Sequence, residues 1–298
     1  MRDVDLSYWR QAFEAENYIC EDDLLITVSL ALKLGRPLLI EGAPGVGKTE
    51  IAKVLARVLE TELIRLQCYE GLDESKALYE WNYQKQLLSI QLDLKQNQSD
   101  CRNDQRLESL FSKDFLLERP LLKAINSDVT EVLLIDEIDK SDEEFEAFLL
   151  ELLSDFQVSI PELGTIRSRN KPVIVLTSNN TRQLSDALRR RCAYLFIDYP
   201  TIEKELSIIN AKVPGVPAKL ASDIAAAVAY LRKNEKIFKK PSIAETLDWV
   251  SALMALDKKR LDEESAIKTL GFVLKNQEDI LEFSEDGGFG KFIAQQLS

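Results

Sequence analysis

The 298-residue sequence contains no histidine. That absence removes Ser–His and Cys–His nucleophile pairs, histidine general bases and histidine metal ligands together. Any general base in this chain must be a carboxylate. Cysteine is scarce: Cys20, Cys68, Cys101 and Cys192 lie far apart with no CxxC pair, so they read as reduced, mostly buried thiols. No apolar run approaches the roughly 20 residues needed to span a bilayer. The opening "MRDVDLSYWR" is charged and aromatic, unlike a signal peptide. A soluble, cytoplasmic protein is expected. Positive charge is also short, with 38 Lys+Arg against 50 Asp+Glu for a net charge of −12. The imbalance sits in residues 1–200, with 24 against 35; residues 201–298 hold 14 against 15. Nucleic-acid binders usually carry a basic patch or stripe, so this balance disfavours a nucleic-acid partner, although a local patch can sit on an acidic protein.

What is present is a globular composition, 45 % apolar, without repeats or low-complexity tracts and long enough for two packed domains. In "IEGAPGVGKTE", Ile40 to Glu50, five small or kinked residues precede a lysine and a threonine. The apolar run "PLLI" before it reads as a buried strand, and "TEIAKVLARVL" after it repeats at helical spacing. Strand, glycine loop and helix fit G-x-x-x-x-G-K-S/T, with Gly42, Gly47, Lys48 and Thr49 at the fixed positions. Such a loop turns successive backbone N–H groups toward phosphate oxygens, and the helix N-terminus adds about half a positive charge there. The expected nucleotide-binding stretch is Gly42, Ala43, Pro44, Gly45, Val46, Gly47, Lys48, Thr49 and Glu50. Lys48 is expected to reach the β- and γ-phosphates, and the Thr49 hydroxyl to ligate Mg²⁺.

Along the chain, "SYWRQAFEAENYI" and "EDDLLITVSLALKLG" read as helices, the second stopped by Gly35. "ELIRLQ" reads as a second strand, Leu72 to Leu92 as mostly helical, and Lys95 to Arg106 as an exposed loop. "SKDFLLERPLLKAI" reads as a helix interrupted near Pro120. A buried strand, an acidic corner and an amphipathic helix follow in "EVLLIDEIDKSDEEFEAFLLELL". Then come a hairpin over residues 156–166, a buried strand "KPVIVLTSNN", and a short helix running into a strand in "LSDALRRRCAYLFIDYP". Alternating strands and helices imply a doubly wound parallel sheet. Beyond Pro200 the strand signal stops: four helices and a weaker fifth near "GKFIAQQL" are expected. The expected domains are an α/β core over 1–200 and an all-helical lid over 201–298.

"VLLIDE" places Asp136 and Glu137 at the C-terminal end of a buried strand, where open α/β sheets hold ligands. Asp136 is expected in the Mg²⁺ shell. Glu137 is the natural general base of a chain without histidine. Asn179 ends another strand and can position water against a γ-phosphate; Asn180, next to it, is the alternative. "LRRRC" carries three consecutive guanidiniums about 100° apart in projection, so they cannot all serve one site. Arg191 is the expected γ-phosphate partner, acting from a neighbouring subunit, with Arg190 second.

Together these residues resemble an AAA+ ATPase. "GAPGVGKT" looks like Walker A, "LLIDE" like Walker B, "TSNN" like sensor 1 and "RRC" like the arginine-finger segment. The hairpin "QVSIPELGTI" resembles the presensor insertion of the MoxR family. "GLDESKALYEWNYQKQLL", "FLLERPLLKAI", "ALRRRCAYLFIDYP" and "KPSIAETLDW" look most like its CoxD-like branch. The resemblance implies a P-loop NTPase fold, ATP and Mg²⁺ as cofactors, hydrolysis of ATP to ADP and phosphate, and a ring oligomer, a hexamer. It implies a protein client, a molybdenum hydroxylase subunit such as that of carbon monoxide dehydrogenase during maturation. A Rubisco-activase-like remodeller or one partnered by a von Willebrand-A-domain protein is the alternative, with a nucleic-acid clamp or helicase loader behind it. One departure stands out: the "SPR" segment of many MoxR-branch lids is Ser242, Ile243 and Ala244 here, leaving Lys239 or Lys240 to substitute for its arginine or the lid less coupled to phosphate. By the same resemblance the Tyr69–Tyr83 region lies at or beside a central pore, so Trp81 and Tyr83 either grip the client or pack onto the core.

Overall fold

The structure, a computed structural model, describes residues 5–95, 110–161, 163–285 and 288–290. The polar stretch from 96 to 106, Cys101 with it, and the chain after Gly290 lie outside the described residues. The expected helix near "GKFIAQQL" therefore falls almost wholly outside them.

Two helices, α1 (Leu6–Ala15) and α2 (Asp22–Leu34), precede β1 (Leu38–Gly42). Gly35 ends α2 in the left-handed conformation, φ +61°, which a residue without Cβ adopts at little cost. Next come α3 (Lys48–Val58), β2 (Leu63–Gln67), α4 (Glu74–Ala77), β3 (Tyr79–Trp81), α5 (Tyr83–Lys95), β4 (Leu116–Glu118) and α6 (Pro120–Asn126). The chain continues through β5 (Val132–Asp136), α7 (Glu143–Asp155), β6 (Gln157–Ile160), β7 (Gly164–Arg167), β8 (Val173–Ser178), α8 (Asp186–Arg189) and β9 (Ala193–Ile197). Five helices close the order: α9 (Ile202–Lys212), α10 (Ala218–Lys233), α11 (Ile243–Ala255), α12 (Glu263–Val273) and α13 (Gln277–Glu285).

The central sheet has the order β2-β5-β8-β1-β9. The pairs β2·β5, β5·β8 and β1·β8 are parallel, aligning Gln67 with Asp136 and Ile40 with Thr177. The α/β reading therefore holds, with a parallel sheet and flanking helices. β1 and β5 are buried at every residue, which explains why both read as unbroken apolar runs rather than alternations. The crossover from β1 to β2 skips two strand positions, and that from β8 to β9 passes over β1. Functional groups of such a sheet gather at the C-terminal strand ends beside this switch.

Two expectations fail. The segment before Pro120 is not α-helical: a 3-10 turn at Lys113–Phe115 leads into Leu116–Glu118, which forms β4, antiparallel to Tyr79–Trp81. Proline disfavours the helical region for the residue before it; Arg119 is extended (φ −91°, ψ 172°), and the helix starts only at Pro120. The same pairing breaks the helix expected across Leu72–Leu92 into α4, β3 and α5. Trp81 is 7 % exposed and packs edge-to-face on Tyr79 and Phe111, so its ring belongs to the interior and offers no grip. Tyr83, 63 % exposed, does face outward. The hairpin forms as expected, β6 pairing antiparallel with β7. The four helices expected beyond Pro200 form, and the fifth described helix comes from "QEDILEFSE".

The chain divides into two compact units, residues 1–6, 23–41 and 49–195 in one and residues 7–22, 42–48 and 196–298 in the other. The core of the first is built around the central sheet from Leu39, Leu66, Leu133, Ile135, Leu149 and Leu176. The core of the second is lined by Ile224, Val228, Trp249, Leu253, Leu270 and Phe283. Trp249 is fully buried; its Nε1–H donates to Thr269 Oγ1 at 2.7 Å and its ring stacks on Phe289.

The second unit also holds a buried ion pair. Arg232 donates twice to the Glu205 carboxylate, with side chains 8 % and 1 % exposed. Glu205 Oε1 also accepts from Thr246 Oγ1 at 2.7 Å, Arg232 Nε donates to the Pro241 carbonyl at 2.8 Å, and the guanidinium lies 4.8 Å over the Tyr199 ring. Removing one charge strands the other away from water. Glu205→Gln should therefore lower stability by about 3 kcal/mol, read as a shift in urea midpoint. Adding Arg232→Met should recover much of that loss. A Glu205→Gln variant with an unchanged midpoint would show that the pair contributes nothing.

Candidate functional site

Residues 42–48 connect β1 to α3 through a loop with Gly45 at φ +72° and Gly47 at φ +94°. Close approach adds a second reason for two of the glycines. A Cβ on Gly42 would lie 2.1 Å from the Ile197 carbonyl oxygen, and one on Gly45 would lie 2.4 Å from Ser242 Cβ. Val46 turns its side chain inside, 4 % exposed, while Pro44 and Gly45 stay at the surface. Lys48 is buried, and its Nζ donates to the carbonyls of Gly42 at 2.8 Å and Ala43 at 2.7 Å. The cation is thus held inside the loop's own curl. Glu50 pairs with Lys53 and Arg57 along α3.

Thr49 opens the other half of the arrangement. Its Oγ1 donates to Asp136 Oδ1 at 2.9 Å, and Thr177 Oγ1 donates to the same oxygen at 2.5 Å. Arg65 binds the second oxygen with Nη2 at 2.6 Å and Nε at 3.1 Å. Asp136 is 2 % exposed, so four hydrogen bonds are what make a buried carboxylate tolerable.

Glu137 follows in the left-handed conformation (φ 56°, ψ 50°). Non-glycine residues seldom adopt it, and here the structure around it enforces it: the Glu137 N–H donates to Thr177 Oγ1 at 2.9 Å. The turn swings the carboxylate out beyond the strand end. Its Oε2 accepts from Gln67 Nε2 at 2.9 Å and from Lys140 Nζ at 2.6 Å, whereas Oε1 accepts only from Asn179 Nδ2 among the bonds described, at 3.2 Å. The bond and charge of Glu137 lift the Lys140 ammonium above its ordinary pKa.

Asn179 is itself placed by a buried acid. Asp139, 4 % exposed, accepts from the Asn179 N–H at 3.2 Å, the Thr181 N–H at 2.9 Å and the Thr181 hydroxyl at 2.6 Å. Burial pulls this carboxyl upward, but the bonds from Thr181 and Asn179 outweigh it and hold it below the usual range. Asn180, at φ 58°, is exposed and turns away, so the amide beside Glu137 is that of Asn179. Cys68 sits next to this corner, its N–H bonded to the Asp136 carbonyl at 2.8 Å. Burial first, then Asp136, Asp139 and Glu137, push its thiol up to about 12. It is inert, as a mostly buried cysteine should be.

The three arginines at the end of α8 differ in occupation. Arg189 pairs with buried Glu41 at 2.6 Å, and Tyr194 holds the other Glu41 oxygen at 3.0 Å. Arg191 donates to Ser154 Oγ and, at 2.9 Å, to the Ala187 carbonyl. The Arg190 side chain is exposed and makes no described hydrogen bond or ion pair, while its backbone N–H donates to the Asp186 carbonyl at 3.0 Å. Of the two lysines beside the lid segment, Lys240 donates to the Asn234 carbonyl, while the Lys239 side chain is exposed.

The donor chemistry suits Mg²⁺. Thr49 Oγ1 and Asp136 Oδ1 are hard oxygens 2.9 Å apart at one strand end. Among the described residues no cluster of three or more His, Cys, Asp or Glu could hold a metal ion. Mg²⁺ does not need one, because it is commonly held by one or two protein oxygens, phosphates and water. The structure brings together Thr49, Asp136, Glu137 and Asn179 as the sequence implies. It adds Arg65, Gln67, Asp139, Lys140 and Thr177, which no sequence pattern marked. Among the described residues no helix is long and apolar enough to cross a membrane.

Residues 37–192 match the model of the AAA domain, dynein-related subfamily. No curated protein matches the chain in sequence. Among solved structures, a proline-to-glycine mutant of Thermotoga maritima RuvB superposes with a TM-score of 0.51 at 21% identity, over 94% of this chain and 76% of that one. The Thermotoga maritima RuvB Holliday junction branch migration motor gives a TM-score of 0.49 at 21% identity, over 88% and 72%.

Proposed function

The chain belongs to the AAA domain family, dynein-related subfamily, and from that premise we propose that it binds ATP with Mg²⁺ and hydrolyses it to drive remodelling of a protein client. The observation that carries the reading is the shared corner at the end of β5, where Thr49 bonds Asp136 and Asn179 bonds Glu137. The residue before Thr49 is Lys48, the last of the loop that fits the phosphate-binding pattern. Thr49 and Asp136 would hold Mg²⁺, whose charge offsets that of the phosphate oxygens. Lys48 leaves the carbonyls of Gly42 and Ala43 to meet the β- and γ-phosphates. Glu137 takes the proton of the attacking water, whose oxygen bonds to the γ-phosphorus as the bond to the bridging oxygen of ADP breaks. Oε1 is the better acceptor, because Oε2 already receives Gln67 and Lys140. Asn179, beside Oε1, orients the water. An arginine from a neighbouring subunit of a hexameric ring stabilises the transferring phosphoryl group. Arg191 is committed within its own chain, so the geometry favours Arg190 for this role.

The client reading rests on the segments that resemble MoxR proteins of the CoxD-like branch. It makes the client a molybdenum hydroxylase subunit, with a Rubisco-activase-like or von Willebrand-A-partnered remodeller as the alternative and the cytoplasm as the compartment. In this reading residues 1–200 act as the motor core and 201–298 as its lid. The net charge of −12 disfavours a nucleic-acid track, and ATPase stimulation by DNA would reverse that judgement.

Titration calorimetry with ATP tests the nucleotide reading. The wild type should bind saturably. Lys48→Ala should bind on the order of tenfold to a hundredfold more weakly, the worth of one charged hydrogen bond. Equal affinity in the two proteins would overturn the assignment.

A further inference from the structure

The segment Pro241–Thr246, which opens α11, lies against the phosphate loop within the same compact unit. The Ile243 N–H donates to the Gly45 carbonyl at 3.2 Å. Beside that bond the Ser242 side chain fills the space where a Gly45 Cβ would stand. An N–H at the first helical position has no partner inside its own helix; this one finds its acceptor in the loop. We infer that the Ile243 N–H is a positioning group for phosphate binding: it fixes the Gly45–Val46 peptide so that the Val46 N–H faces into the cradle. The inference rests on the nucleotide reading given above.

The physical link is the planarity of the peptide. In a trans peptide the carbonyl and the following N–H point in opposite directions. Tying the Gly45 oxygen outward to Ile243 therefore turns the Val46 N–H the other way. A glycine at φ +72° is otherwise free to reorient this unit, so a fixed acceptor removes the freedom that phosphate binding would have to quench.

The donor is rigidly held in turn. Ser242 caps α11 in a capping box: its Oγ accepts from the Glu245 N–H, and its own N–H donates to Glu245 Oε2 at 2.7 Å. Arg232 holds the Pro241 carbonyl from one side. Thr246 bonds both Glu205 and, at 3.0 Å, the Ser242 carbonyl from the other. The buried ion pair of Glu205 and Arg232 thus acts through backbone bonds on the loop that receives phosphate. No cationic lid side chain is needed for this coupling.

Proline at position 243 tests it. Ile243 is the first helical residue, where proline is well accommodated. Ser242 (φ −85°, ψ 171°) already has the extended conformation that a residue before proline requires. Ile243→Pro removes the N–H, and Ile243→Ala, which keeps it, is the reference for the lost side chain. Binding of ATP and of inorganic tripolyphosphate, which touches the phosphate cradle alone, is measured for both. The proline variant should bind each roughly three- to tenfold more weakly than the alanine variant, the worth of one hydrogen bond, with melting temperatures that agree.

Amide exchange in the wild type supplies a reading that no folding defect can obscure. The Ile243 amide should exchange at least about tenfold more slowly than that of Ala244, which lies one position further into the first turn and is equally without an intrahelical partner. Equal polyphosphate affinity in the two variants, or an unprotected Ile243 amide, overturns the inference and leaves the nucleotide reading in place. A wild type that takes up neither ATP nor tripolyphosphate overturns both.

Discussion

Glu137→Gln should bind ATP as the wild type does and turn it over about 10²–10⁴-fold more slowly, the range a positioned general base contributes. The amide keeps the shape of the carboxylate and the left-handed turn that presents it, but it cannot take a proton from water. Its effect on stability should be small. Glu137 lies in a partly exposed corner, and its ion-pair partner Lys140 is itself half in solvent. Such pairs are worth at most about 1 kcal/mol. The remaining amide oxygen can keep one of the two side-chain donors, Gln67 or Asn179, which bind different carboxylate oxygens in the wild type. Steady-state turnover with ATP binding measured on the same preparation reads the result. Turnover near that of the wild type would take the base role away from Glu137. A trapped ATP state has a practical use as well: affinity capture with Glu137→Gln is the direct test for the proposed protein client.

The phosphate loop was legible because its chemistry is local. A strand, a loop needing positive φ at Gly45 and Gly47, and a helix beginning at Lys48 are consecutive in sequence. Asp136 and Glu137 were legible for a related reason, since an apolar strand that ends in two acids places them at the strand end. Their partners were not legible. Gln67 reaches Glu137 because β2 pairs with β5 and aligns Gln67 with Asp136; Thr177 reaches Asp136 because β8 lies on the other side of β5. Both facts depend on strand order, which periodicity does not carry. Arg65 is an exposed position on a strand of alternating burial, a pattern that marks no role, yet it supplies two of the four bonds to Asp136.

The antiparallel pair β3·β4 was missed for a different reason. Each strand is only three residues long, and the apolar residues around them repeat as a helix would. Only Pro120, which forbids a helical Arg119, carried the correct signal. Trp81 follows from that miss. Read as part of a helix it could be a surface aromatic; paired in a strand it is buried against Tyr79 and Phe111.

Arg190→Ala should lower turnover by about 10³-fold or more while leaving ATP affinity nearly intact, the signature of an arginine that acts on the phosphoryl group in transit. Arg191→Ala should behave differently. It removes bonds to Ser154 Oγ and the Ala187 carbonyl, each worth about 1 kcal/mol net, so it should lower the melting temperature and change turnover only severalfold. The contrast follows from occupation: a guanidinium already serving two acceptors in its own chain must give them up before it can serve a neighbour's phosphate, whereas the Arg190 guanidinium has no described bond to lose. Mixing either variant with wild type at fixed total concentration separates action in cis from action in trans. For Arg190→Ala, activity should fall further than dilution alone explains, because each variant subunit silences the neighbour's site. If Arg191→Ala rather than Arg190→Ala shows the large loss, the role returns to Arg191 and its two intrachain bonds must open on assembly. A protein that hydrolyses ATP at full rate as a monomer, at every concentration tested, would remove the trans arginine and the ring together.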